Sequence, residues 1–114
     1  MNIRPKLLLI DIDGCLLVHR GTATAALEME PEILPGVLDK FNEWDMLGYR
    51  IVLTTGRKES CRAKTEEQLR KVGLFWDALI MGYGGGDRFL INDLKRDGYG
   101  PTAVAINLHR NVGM

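Results

Sequence analysis

The sequence has little of several things. Its 114 residues include two cysteines, Cys15 and Cys61. They make no disulfide pattern and no close metal-ligand pair, which points to a reducing, cytoplasmic setting. Neither charge is in excess: fifteen Lys and Arg stand against fifteen Asp and Glu. The basic footprint of a nucleic-acid binder is therefore absent, and no nucleic-acid partner is expected. No apolar run approaches the ~20 residues of a membrane span. MNIRPK carries charge but no apolar core followed by a small-residue cleavage site, so no signal peptide is expected. No His, Cys or acidic cluster has zinc spacing. GYGGGD at 82–87 is not a Walker loop, because no Gly-Lys-Ser/Thr follows it.

What is present is the composition of a folded domain, 46% hydrophobic and 26% charged. The length fits a single domain over 1–114 with a single core. Lys6 to Ile10 reads as a buried strand, apolar without alternation, broken at Gly14. Cys15 to Val18 is a second short apolar run, and HRGTAT after it reads as a polar turn or flap. LEMEPEILP reads as a loop. Pro35 is placed to start a helix, with Val37, Leu38, Phe41, Trp44 and Leu47 at helical spacing and Gly48 at its end. Tyr49 to Leu53 predicts a second strand, ending in Thr54-Thr55-Gly56-Arg57. KESCRAKTEEQLRKVG predicts a second helix closed by Gly73. Ala78 to Met81 predicts a third strand, Arg88 to Ile91 a fourth and Thr102 to Ile106 a fifth, with LKRDGYGP as a turn between the last two. Strands alternating with helices predict a mostly parallel α/β sheet.

Three predicted strands end in polar groups: Asp11-Ile12-Asp13, Thr54-Thr55-Gly56-Arg57 and Asn92-Asp93. Ligands of open parallel sheets bind outside the carboxyl ends of the strands, so these groups are expected on one edge. Two carboxylates two positions apart repel each other unless a cation or a reaction uses them. Oxygen ligands of this kind suit Mg²⁺. A carboxylate can attack phosphorus as a nucleophile, and a second can protonate the leaving group and later activate water. Threonine hydroxyls and backbone N–H groups can hold the phosphoryl oxygens.

DIDGCLL at 11–17 resembles motif one of the haloacid dehalogenase-like superfamily. IVLTTGR at 51–57 is similar to its motif two, and RFLINDLK at 88–95 to its motif four. The order and spacing match over about Lys6 to Asn107. The resemblance implies a three-layer α/β/α Rossmann-like fold with a mostly parallel five-stranded sheet, strand one central between the Tyr49–Leu53 and Arg88–Ile91 strands. HRGTAT lies where that family carries a flap. The resemblance implies Asp11 as nucleophile and Asp13 as general acid/base. It gives Thr55 as the phosphate-binding residue, with Thr54 next in register, and Gly56 beside it. It implies Mg²⁺ at Asp11, at the Asp13 main-chain carbonyl and at Asp93 with Asn92.

Three departures stand out. Cys15 replaces a frequent threonine and reads as a small buried residue. Asn92 replaces a frequent aspartate. The lysine of motif three is missing from MGYGGGD, and Arg88, Lys64 and Lys95 are the basic candidates, Arg88 favoured. Arg57 and Lys58 either meet a phosphate or stand as solvated charge. His19 in the flap, with His109 and Arg110 in the tail, reads as surface or as substrate-side.

About 40 residues separate motif one from TTGR, and 36 lie between Thr55 and Asn92, too few for a cap domain. The expectation is a small capless Mg²⁺-dependent phosphatase with a small phosphorylated substrate, a sugar phosphate by analogy, and a homo-oligomer that covers the open site. The competing expectation is a catalytically weak phospho-ligand binding or interaction domain on the same fold. A receiver domain fits poorly, since it carries its phosphoacceptor on the third strand.

Overall fold

The computed structural model describes residues 4–95 and 100–114. The expected turn LKRDGYGP lies partly outside them, as does the start of MNIRPK. The elements run β1 (Leu7–Asp11), α1 (Ala23–Glu28), α2 (Val37–Met46), β2 (Arg50–Thr55), a 3₁₀ turn (Glu59–Cys61), α3 (Arg62–Lys71) and β3 (Ala78–Met81). The three strands form one parallel sheet in the order β1-β2-β3.

Register decides which side chains share a face. Leu8 pairs with Ile51, Ile10 with Leu53, Leu53 with Leu79 and Thr55 with Met81. Ile51, Leu53, Leu79 and Met81 on that face are buried in one cluster with Val37 and Phe41 of α2, Leu69 of α3, and Ile12, Leu16 and Leu17 after β1. The other face carries Leu7, Leu9, Asp11, Thr54 and Ile80, and its large apolar side chains are exposed.

The two longer helices follow their sequence pattern. Val37 and Phe41, one turn apart, are buried, and Phe41 meets Trp44 and Phe75 with ring centroids 5.5 Å away in each case. Each helix ends in a Schellman arrangement that satisfies its last carbonyls. Gly48 and Tyr49 donate to Asp45 and Trp44, and Gly73 and Leu74 donate to Arg70 and Leu69.

The structure corrects three expectations. First, residues 88–95 and 102–106 form no strand, so the sheet of the described residues has three strands, not five. β1 is an edge, not the centre, and its outer side is unpaired. Phe89 and Ile91 are 84% and 91% exposed, so this segment gains no burial to offset the entropy of ordering it as a strand. Second, the described residues cover one sheet face, giving two layers rather than three. Third, α1 occupies residues read as flap and loop. Thr22 caps it, its hydroxyl accepting from Ala25 N–H at 3.1 Å, and Ala23, Ala25 and Ala26 are strong helix formers. No helix of the described residues is long and apolar enough to cross a membrane.

Candidate active site

β1 delivers Asp11 at its last position, paired in register with Thr54 on the open sheet face. The chain then leaves the sheet. Ile12 inserts into the core, Asp13 follows, and Gly14 turns with φ 93°, a conformation that L side chains rarely adopt. Gly14 N–H donates to Leu17 O at 2.7 Å, closing a tight loop at the carboxyl edge.

Asp11 keeps an exposed side chain, yet the protein around it raises its pKa. Partial burial is the main cause, and the nearby Asp13 charge adds to it. The Ile12 N–H, Arg88 and His19 oppose the shift. Arg88 and His19 are thus close enough to act on Asp11 electrostatically. Arg88 is not on a strand. Its guanidinium donates to the carbonyls of Gly84, at 2.8 Å, and of Gly86. Cys15 lies in the same field. Burial and the Asp11 charge push its thiol up, which keeps it protonated and poor as a nucleophile.

Asp13 is held by Arg57. The guanidinium Nη2 and Nε donate to the two carboxylate oxygens at 2.8 and 2.9 Å, a bidentate pair whose arginine side chain is 7% exposed. The remaining Nη1 donates to Gln68 Oε1 at 2.6 Å and Thr65 Oγ1 at 3.2 Å, both on α3. Sequence reasoning left Arg57 between phosphate contact and solvated charge; it is neither. A buried-acceptor signal was present in Thr65 and Gln68, polar residues on the apolar stripe of α3.

Thr55 is buried, and its Oγ1 accepts from Arg57 N–H at 3.1 Å, leaving the hydroxyl proton free to be donated. Gly56 faces Gly84: a Cβ there would stand 3.3 Å from the Gly84 carbonyl oxygen, so a side chain would push the glycine loop outward.

The tail closes the far side of the loop. Asn111 N–H donates to Gly14 O at 2.9 Å, and its Oδ1 accepts from His19 N–H at 2.6 Å. Arg110 packs on Gly14. Asn92 and Asp93 make bonds of their own. Asn92 Nδ2 donates to Thr102 Oγ1 at 2.8 Å, and Asp93 pairs with Lys95, which lowers its pKa.

Asp11, Asp13, Thr54, Thr55, Gly56 and Arg88 are therefore gathered at one edge, while the side chains of Asn92 and Asp93 bond to Thr102 and Lys95. Among the described residues no three His, Cys, Asp or Glu side chains could hold a metal ion. Arg57 engages both carboxylate oxygens of Asp13 and not its main-chain carbonyl. The Asp11 carboxylate and the Asp13 main-chain carbonyl are the oxygen donors this edge offers a Mg²⁺, an ion usually bound through one or two carboxylates with water and phosphate filling the other positions.

No protein-family model matches the sequence, and no curated protein matches it. Solved structures do. A chain of the Pnkp1/Rnl/Hen1 complex matches with TM-score 0.61 and 26% identity, over 75% of this chain and 30% of that one. A chain of the Pnkp1/Rnl/Hen1 RNA repair complex matches with TM-score 0.57 and 28% identity, over 68% of this chain and 25% of that one. D,D-heptose 1.7-bisphosphate phosphatase from B. bronchiseptica, crystallised with magnesium and phosphate, matches with TM-score 0.50 and 22% identity, over 72% and 52%. This chain spans from a quarter to about half the length of those chains. The likeness is one of fold: a small parallel α/β domain built like part of a sugar bisphosphate phosphatase and part of an RNA repair assembly.

Proposed function

We propose that this chain is a phosphomonoesterase working through an aspartyl-phosphate on Asp11. The observation that carries this is the pairing of roles at the end of β1. Asp11 is exposed beside Thr54 on the open face, while Asp13, two residues on, is locked in orientation by Arg57. In the first step an Asp11 oxygen bonds to phosphorus, the bond from phosphorus to the leaving oxygen breaks, and Asp13 gives that oxygen a proton. In the second, water attacks phosphorus, Asp13 takes its proton, and the acyl-phosphate P–O bond breaks to restore Asp11. Each Asp13 oxygen has a lone pair beyond the one facing Arg57, so it can carry a proton while remaining held. Thr55, the amide groups at Gly56 and Arg88 are assigned to the phosphoryl oxygens.

Mg²⁺ enters this reading through residues 88–93. We place them against the unpaired edge of β1, which would extend the sheet towards five strands and bring Asn92 and Asp93 to Asp11. The open edge and the exposed Phe89 and Ile91 support this. Titration calorimetry with Mg²⁺ should then show weaker binding by Asp93→Ala than by wild type; equal binding would remove Asp93 from the ligand set.

The substrate class is a small phosphomonoester, with sugar phosphates first. A phosphorylated RNA end is the competing class, suggested by the RNA repair neighbours and opposed by the balanced charge. The test is a screen of sugar phosphates, nucleotides, a 3′-phosphorylated oligonucleotide and p-nitrophenyl phosphate, with Mg²⁺ and with chelator, beside Asp11→Asn. Turnover lost in Asp11→Asn supports the proposal. A wild type that binds phosphate esters and turns none over favours the second reading, a phospho-ligand binding domain, which the asparagine at 92 in place of an acid also favours.

A further inference from the structure

Gln68 is 2% exposed, and its amide is used at both ends. Its Oε1 accepts from Arg57 Nη1 at 2.6 Å. Its Nε2 donates to Ala26 O at 2.8 Å and, more weakly, to Leu27 O and Met29 O at 3.4 Å each. The amide can sit only one way round, because a guanidinium only donates and carbonyls only accept. Those carbonyls belong to the end of α1, where a helix leaves its last acceptors without partners. One side chain thus fastens the end of α1 and the arginine that grips Asp13.

We propose that Gln68 is a positioning residue for Asp13: through Arg57 it ties the orientation of the proton-transferring carboxylate to the docking of α1. This rests on the acid role assigned to Asp13 above. The coupling runs through three contacts in series, from the Ala26 carbonyl to Gln68, Arg57 and Asp13, with Thr65 Oγ1 as a second acceptor for the same Nη1. The segment leading into α1 carries His19, whose charge acts on Asp11. A ligand that displaces α1 would therefore turn Asp13 as well as shift the residues before it.

Two substitutions separate the halves of the link. Gln68→Glu keeps an acceptor for Arg57 and presents oxygen to carbonyls that need a donor. Gln68→Met removes both bonds at similar volume. If α1 matters, both variants lose function; if only the Arg57 contact matters, Gln68→Glu keeps it. The reading is leaving-group dependence. An alkyl phosphate needs a proton on its leaving oxygen and p-nitrophenyl phosphate does not. Both variants should lower kcat/KM, which reports only the step that forms the aspartyl-phosphate, about tenfold for the alkyl ester, within the range that misplaced catalytic groups cost, and at most about threefold for p-nitrophenyl phosphate. Equal loss on both esters would mean a merely structural role and overturn the proposal, as would wild-type turnover by Gln68→Glu.

Hydrogen exchange supplies an arm that needs no turnover. The Ala26 and Met29 amides, which bond to Thr22 O and Ala25 O, should exchange several-fold faster in both Gln68 variants. By reciprocity of coupling they should also do so in Asp13→Asn, whose substitution lies at the far end of the chain of bonds. Unchanged exchange in Asp13→Asn would break the link. If no ester is turned over by wild type while exchange responds as stated, the enzyme reading falls and the coupling stands.

Discussion

At the scale of the residue, the fold works against the charge on Asp11. Its raised pKa means the fold penalises the ionised form. The stability tied to the neutral carboxyl is full below the ordinary aspartate value of about 3.9. It is lost as pH rises through the higher folded value, so at pH 7 the charge works against the fold. Asp11→Asn should therefore abolish turnover and raise Tm at pH 7 in the presence of chelator, with the two melting curves converging near pH 3. A lower Tm for the variant at pH 7 would contradict the sign. Arg57 is the opposite case. Arg57→Met strands a half-buried carboxylate and leaves Gln68 and Thr65 without their donor. Removing one partner of a well-buried pair costs about 3 kcal/mol or more, and some exposure of Asp13 brings the expectation to about 2–3 kcal/mol, read from urea denaturation.

At the scale of the element, the start of the β2–β3 ladder hangs on Asp77. Its N–H donates to Ile51 O, and its carboxylate accepts from Ile51 N–H, each at 2.8 Å, and from Arg50. These bonds, that from Ile51 first, hold its pKa down. A depressed carboxylate contributes stability above its unfolded value and loses it as pH falls through the folded one. Asp77→Asn should lower Tm at pH 7, with the gap closing in acid below about pH 3. The tail is the second such element. Asn111→Ala should speed exchange of the His19 amide, which donates to the Asn111 side chain, and leave the Leu53 amide unchanged. β1, β2, β3, α2 and α3 were legible because each carries a local signal: apolar runs, a helical stripe, and glycines where helices end. α1 was not, since six residues of mostly alanine and threonine offer no stripe to a core. Asp11, Asp13 and Thr55 could be found from strand-end position. The Arg57 grip could not, because it depends on α3 bringing Thr65 and Gln68 to a residue eight and eleven positions away. The strand expected at 88–91 rested on apolar content, which does not say what the segment packs against.

At the scale of the whole molecule, the extended apolar surface is the open question for solution behaviour. Leu7, Leu9 and Ile80 on the sheet and Phe89, Ile91, Val104 and Ile106 beyond it are all exposed. Surface of this kind marks closure or association. Sedimentation from micromolar to hundred-micromolar protein should show a concentration-dependent dimer, and Leu9→Lys on the open sheet face should abolish it; a monomer throughout, with wild-type turnover, would rule out cover by a second copy. The bond from Asn111 to the loop at Gly14 and His19 has one more consequence. Among the described residues the last strand ends at Met81, so the residues of all three strands are made thirty residues (111 − 81) before Asn111. At about 5–20 residues per second of synthesis, that is a delay of roughly 1.5–6 s. The loop around Asp13 therefore waits on a residue made after every strand of the described sheet, and a chain cut short between the two carries those strands without the Asn111 bonds to Gly14 and His19.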